Sequence, residues 1–518
     1  MVEITRARLW GWLIRAHRYL GVGFCILFVL WFASGLVLLY RRMPSLGTGD
    51  RLGALIPLAA ERIRVAPAAA WRAVGRGWPS RLRVAMLLDR PVYRFLDHGV
   101  WIAAYADDGA PVTAVDSATA LAVARALGAG APVRYRDLAN TPDQWILSTV
   151  LRRQGPLYRF VVEDGRGTSL YVTRSTGEAV MRTDRWGRWW GYSGAVVHWL
   201  FFTPLRMRTP VWSALVIYSS LVGAVLCLSG LVVGLYRVRI LSRYRGSRLS
   251  PHHGWLRWHH FTGLIFGLVT FTWVFSGMLS MSPWDWSPGS SPTDADVRAV
   301  AGGDLDLSRI TVGLPEAARA LGGGGPLKEL EIFQFMGRPL FRRIEPPAAE
   351  RPGQWENTDL PAYLGGGPSW RSRVLRADRS GEVPRAGFGR GELELAARAA
   401  MPGQAVLEST WLDRFDRYYY PGHLGGLSLP VLRARFADGT WLYLDPRTGA
   451  PVLHHTARSR AERWLYHGLH SLDFPGLYQR RPLWELVVIL GSVGGLLVSG
   501  TAVVIGWRRV RGRRRVDP

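Results

Sequence analysis

A chain of 518 residues is too long for one hydrophobic core, so several structural units are expected. Its formal net charge of +26 invites a nucleic-acid reading, but the arginines crowd around four long apolar blocks, and no basic domain remains once they are set aside. Both cysteines, Cys25 and Cys227, fall inside those blocks, which excludes a disulfide-held fold for the rest.

In chain order, residues 1–19 carry Arg6, Arg8, Arg15 and Arg18, and an uncharged run follows over 20–40. Residues 41–210 form a long polar segment, 211–236 a second apolar run, and 237–260 a basic loop with Arg237, Arg239, Arg243, Arg245, Arg248 and Arg257. A third run covers 261–284, a second polar segment 285–482, and a fourth run 483–507 with only Glu485 near its start. The tail, 508–518, carries Arg508, Arg509, Arg511, Arg513, Arg514 and Arg515. Each run exceeds the ~20 residues that cross a hydrocarbon core of about 30 Å, so four transmembrane helices are expected. The positive-inside rule puts both termini and the basic loop in the cytoplasm and both polar segments outside, in the periplasm of a bacterial inner membrane. A cleaved signal peptide competes for the first block, which is long for that role and has features that recur in the third.

The polar segments read as α+β. Helical stretches such as ATALAVARAL (118–127) and GELELAARAA (391–400) alternate with strand-and-turn stretches from Pro91 and Ala434, and GGGGP (322–326) and LGGGP (364–368) read as loops. No nucleotide-binding loop is recognisable.

Self-similarity carries the most information. At an offset of 242, Arg15, His17, Gly21, Phe24, Trp31, Ser34 and Gly35 match Arg257, His259, Gly263, Phe266, Trp273, Ser276 and Gly277. At an offset of 272, the stretch 168–212 matches 440–484, aligning His198 with His470 and Trp212 with Trp484. A tandem duplication is expected, its halves parallel and related by a pseudo-twofold axis along the membrane normal. One histidine pair, His17 with His259, then falls at the cytoplasmic face, and His198 with His470 at the outer face. Neutral imidazole is a common iron ligand, and two facing histidines suit a haem that transfers electrons. The plain alternative is an interfacial histidine that merely puts its polar tip at the headgroups. His260 and His467 adjoin the pairs but align with Arg18 and Ala195; both read as residues standing behind a ligand, with His467 alternatively facing a substrate or serving structure. His252, His253, His454 and His455 read as solvated surface, and the outer tryptophans, including Trp186, Trp189, Trp212 and Trp484, as an aromatic belt. The matched small residues admit close approach of helices or of a flat macrocycle.

The motifs HRYLG (17–21), HHFTG (259–263), FDRYYYPGH (415–423), TWLYLDPRTG (440–449), RWLYHGLHSLDFP (463–475) and RPLW (481–484) resemble the PepSY-associated transmembrane proteins, a family that includes inner-membrane siderophore reductases. The resemblance implies a four-helix transmembrane bundle with two periplasmic α+β, PepSY-like (cystatin-like) domains. It also implies two b-type haems on His17, His259, His198 and His470, and reduction of a ferric siderophore or other ferric chelate at the periplasmic face. The first half departs from the fuller pattern, with HWLFFTP (198–204) opposite HSLDFPG (470–476). No flavin or nicotinamide domain is visible, so the electron donor would be a cytoplasmic reductase, a diffusible reductant or a membrane quinol. Two rival readings stand beside this one: a haem-free membrane anchor displaying PepSY-like regulatory or binding domains, and an iron-chelate transporter, which the scarcity of ionisable residues in the spans disfavours.

Overall fold

The computed structural model describes residues 2–41, 43–238, 249–323, 325–345, 373–420 and 427–513. Positions 421–423 of the FDRYYYPGH motif, the LGGGP passage, Arg239, Arg243, Arg245, Arg248, Arg514 and Arg515 lie outside the described residues. The chain divides into a helical unit (1–43, 190–288 and 458–518) and a β-rich unit (44–189 and 289–457).

Among the described residues, the helical unit holds four stretches long and apolar enough to cross a membrane: Arg8–Leu38, Thr209–Arg237, Gly254–Leu279 and Leu483–Arg511. The helices outrun the apolar runs. The first spans Val2–Leu38 and the third begins at Gly254, so His17, His259 and His260 lie within helices rather than ahead of them. Flanking arginines do not stop a helix, because their stems lie along it while the charged heads reach water. Trp284, placed at the end of the third run by the sequence, belongs instead to the 3-10 turn Pro283–Asp285.

The first and third helices each pack against both the second and the fourth. Glycines on the second and fourth helices make room for rings from the other two. A Cβ on Gly223 would meet the Phe28 ring, on Gly495 the Phe32 ring, on Gly494 the Phe266 ring and on Gly491 the Trp273 ring. With no hydrophobic driving force between helices in lipid, such close steric fit carries the association.

The strands of the β-rich unit are, in chain order, β1 (Arg81–Leu87), β2 (Arg90–Asp97), β3 (Val100–Tyr105), β4 (Pro111–Val112), β5 (Val133–Ala139), β6 (Leu157–Val162), β7 (Ser169–Thr173) and β8 (Ala179–Thr183) from the first polar segment. The second contributes β9 (Glu329–Phe335), β10 (Arg338–Arg343), β11 (Val374–Arg376), β12 (Val406–Leu412), β13 (Val431–Phe436), β14 (Trp441–Leu444) and β15 (Pro451–His455). Each segment builds a four-stranded antiparallel sheet, β5 to β8 and β12 to β15, and lays one amphipathic helix on it. The helix Ser117–Leu127 starts where the Asp116 carboxylate accepts from the Thr119 amide, and it buries Ala120, Ala124 and Leu127. Its counterpart, Arg390–Ala400, buries Leu393, Ala396, Ala397 and Ala400, one apolar stripe at helical spacing.

A third sheet takes strands from both polar segments. Seven strands in the order β11-β10-β9-β1-β2-β3-β4 run through both segments, so these share one unit. At an offset of 248 the hairpin β1–β2 matches β9–β10, aligning Arg90, Pro91 and Arg94 with Arg338, Pro339 and Arg342. Where β1 meets β9, Arg83 faces its own counterpart Glu331, while Leu82 faces Ile332 and Val84 faces Leu330. A local twofold axis therefore passes between Arg83 and Glu331.

One face of this sheet is apolar, with Leu82, Val84, Tyr93, Phe95, Leu330, Ile332 and Phe341 in one core. The other carries a buried charge layer. Arg51 donates to Glu178 (3.1 Å) and Glu329 (2.5 Å), Arg83 donates to both Glu178 oxygens (3.0 and 2.9 Å), and Arg342 pairs with Glu331. Burial alone would raise the pKa of Glu329, but the guanidiniums of Arg51 and Arg83 outweigh it and hold the carboxyl at about 2. Removing one member of such a layer leaves an uncompensated buried charge, at a cost of about 3–5 kcal/mol.

Candidate functional site

Four histidines of the helical unit come together as two pairs. The rings of His17 and His259 have centroids 6.3 Å apart, and those of His198 and His470 lie 6.2 Å apart. In each ring Nδ1 is engaged with the backbone of a neighbouring helix. The His17 Nδ1–H donates to the Leu226 carbonyl (3.2 Å) and towards the Ser229 hydroxyl oxygen (3.2 Å). His259 does the same to the Val498 carbonyl (3.2 Å) and Thr501 (3.1 Å), the residues 272 positions further on. His198 donates to the Trp31 carbonyl (3.1 Å) and Ser34 (3.2 Å), and His470 to the Trp273 carbonyl (3.1 Å) and Ser276 (3.2 Å), here 242 positions apart. A carbonyl only accepts, so the proton is assigned to Nδ1 in all four rings, leaving the Nε2 lone pair for a metal.

The segments carrying the outer pair are built alike. A π-helical turn, Tyr192–Val196 or Arg463–Gly468, precedes each histidine, and a left-handed leucine, Leu200 (φ 53) or Leu472 (φ 52), follows two residues later. The turn is then locked from the next helix. The Trp212 indole N–H donates to the Trp199 carbonyl (2.8 Å) and the Trp484 indole N–H to that of Ser471 (2.9 Å). Two tryptophans read from sequence as belt residues are thus hydrogen-bonded beside the histidine turns. Ser34-Gly35 and Ser276-Gly277 also acquire a definite role. The serines accept from the imidazoles, and a Cβ on Gly35 or Gly277 would stand 3.5 or 3.3 Å from the His198 or His470 Cε1.

The neighbouring histidines separate cleanly. The His260 Nε2–H donates to the Gly234 carbonyl (2.9 Å) and its Nδ1 accepts from the Ser250 hydroxyl (2.8 Å), so both nitrogens are committed and the ring ties residue 250 to the second helix. His467 lies against Tyr466 (centroids 4.6 Å), and Tyr466 lies against His470 (5.5 Å). Of the four read as solvated surface, His455 is buried and His454 bonds Asp296 (2.6 Å). The partners Ser229 and Thr501 were hidden as ordinary small residues in apolar runs.

The donor set fits haem. Two metal–imidazole bonds of about 2.0–2.1 Å, plus roughly 1.1 Å from each nitrogen to its ring centre, put the centroids about 6.2–6.4 Å apart. Among the described residues no cluster of three or more His, Cys, Asp or Glu is placed to hold a metal. Two imidazoles and nothing else match the axial positions of a macrocycle that supplies the remaining ligands. One turn along from His17, a Cβ on Gly21 would be in contact with the Leu226 Cδ1 at 3.9 Å, and one turn along from His259, a Cβ on Gly263 would meet nothing within 4 Å. Between the pairs lies an aromatic core of Phe28, Phe32 and Trp273. The axial distance from His17 to Ser34 is about 25 Å at 1.5 Å per residue.

These features define a membrane protein with paired histidines at two levels of a four-helix bundle. Residues 14–437 match the family described as PepSY-associated TM region, and the chain belongs to that family. No curated protein matches the chain.

Proposed function

We propose that the chain is a di-haem transmembrane electron carrier of the bacterial inner membrane that reduces a ferric siderophore or other ferric chelate at the periplasmic face. The observation that carries this reading is the pair of 6.3 and 6.2 Å ring separations with every Nδ1 already engaged. Recurrence of the same contacts at offsets of 242, 248 and 272 supports a tandem duplication, each pair taking one histidine from each half. In this reading both termini are cytoplasmic, and the β-rich unit is periplasmic and PepSY-like.

His17 and His259 would hold one b-type haem, and His198 and His470 the other. Held by two imidazoles, such a group would supply one-electron transfer rather than ligand exchange. The chain orients each imidazole through its Nδ1 bond, and its aromatic core keeps water from the interior of the bundle. A ferric chelate takes up one electron per iron and becomes a ferrous one, which oxygen-donor ligands hold more weakly. The electron originates from a cytoplasmic reductase, a diffusible reductant or a quinol.

Purified protein reduced with dithionite, freed of excess reductant and mixed with ferric citrate under nitrogen should lose its reduced haem bands. One ferrous ion should be trapped per electron released. Reduced bands that persist with excess ferric chelate would defeat the proposed reaction.

A further inference from the structure

The two halves are alike at the outer histidines and differ in what surrounds them. At the offset of 272, Gly191, Gly194, Ala195 and Phe201 of the first half stand where the second half has Arg463, Tyr466, His467 and Asp473. The first-half positions carry no polar side chain. Ala195 and Val196 have no exposed surface, and a Cβ on Gly194 would stand 2.9 Å from the Val37 side chain. The second-half positions carry side chains able to donate. Tyr466 and His467 are half-buried, Leu465 beside them is 41% exposed, and the Tyr466 ring touches both His467 and His470. Beneath them Arg463 and Asp473 are buried, and the Arg463 guanidinium donates to the Asp473 carbonyl at 2.5 Å, tying the π turn to the chain beyond His470. Buried ionisable groups at a membrane protein's helix ends are costly, and they mark a working surface more often than a packing one. A π-helical segment is a common setting for such a surface.

We propose that the outer histidine pair is approached through a contact on the second-half side, in which His467 touches an oxygen-rich metal chelate and Tyr466 positions His467 against His470. This rests on the ferric-chelate reading above and names the residues that recognise the acceptor. An imidazole N–H is a donor, matching carboxylate, hydroxamate or catecholate oxygens. The first half has no side-chain donor at the two equivalent positions, Gly194 and Ala195, so the acceptor has one orientation relative to the pair.

The test uses full-length detergent-purified protein and redox-inert gallium(III) citrate and gallium(III) trihydroxamate, with binding followed by calorimetry. His467→Ala and Tyr466→Ala are expected to weaken binding at least tenfold. Tyr466→Phe should retain most of it because the ring contacts remain, and Ala195→Gly should leave it unchanged. The visible spectrum of each variant should match that of the parent, which separates loss of contact from loss of fold. Parent-like affinity in His467→Ala, or no binding of either chelate to the parent, overturns the inference. A parent that binds gallium chelate through His467 but carries no haem would uphold the contact and defeat the electron-transfer reading instead.

Discussion

Two buried polar clusters sit at repeat-related positions in this chain, and they differ in how they are satisfied. In the β-rich unit the counterparts Arg83 and Glu331 carry opposite charges, and with Arg51, Arg94, Glu178, Glu329 and Arg342 they form a layer of interleaved opposite charges. In the helical unit the counterparts are chemically identical: imidazole meets imidazole, and each has already spent its proton on a carbonyl. Opposite partners complete one another, whereas two lone-pair donors across about 6 Å need a third party between them. Complementary asymmetry therefore marks the part of the molecule that holds itself together, and retained identity marks the pairs proposed to bind haem.

The largest expected effect breaks the self-satisfied cluster. Glu329→Lys puts a cation among Arg51, Arg83 and Arg94 and should cost the β-rich unit more than about 3 kcal/mol, preventing accumulation of protease-resistant protein. Glu329→Gln should be milder, lowering the thermal midpoint without abolishing folding. In the identical cluster, His17→Ala and His198→Ala should each lose one haem while the β-rich unit keeps its protease resistance. Gly230→Val brings a side chain to a position where a Cβ stands 2.5 Å from the His17 Cε1, so haemochrome quantification should show loss of the inner group alone.

Acid sharpens the comparison from the other side. The Glu329 pKa is depressed from 4.5 to about 2, so its contribution to stability is fully present above about pH 4.5 and is lost as pH falls through about 2. Near-ultraviolet circular dichroism should therefore show tertiary structure of the β-rich unit surviving pH 4 and collapsing near pH 2. The smallest effect is that of Ser34→Ala, which removes one hydroxyl from beside His198 while the Trp31 carbonyl remains. Haem transfer to apomyoglobin should quicken by no more than about tenfold, the lower end for loss of a partner behind a metal ligand.

Much of the helical unit was legible in the chain because its signals are local. An apolar run long enough to span is read directly, and the offset of 242 alone aligned His17 with His259. The choice of His259 over His260 also stood in the alignment, and the His260 bonds to Gly234 and Ser250 supply its physical reason. The charge layer and the shared sheet were not legible, because Arg51 and Glu329, or Leu82 and Ile332, meet across some 250 residues of chain. No local pattern distinguishes Arg83, which is 1% exposed, from a surface arginine. The difference between the two halves beside His198 and His470 was half visible, as departures between HWLFFTP and HSLDFPG. Their meaning needed the close approach of Val37 to Gly194.

The most direct test is the visible spectrum of the detergent-purified chain before and after dithionite, with pyridine haemochrome quantification of the parent, His17→Ala and His198→Ala. The account predicts two b-type haems per chain and one remaining in each variant, with the surviving group keeping its low-spin spectrum. No haem in protein from haem-replete cells, or two haems retained in either variant, would contradict it.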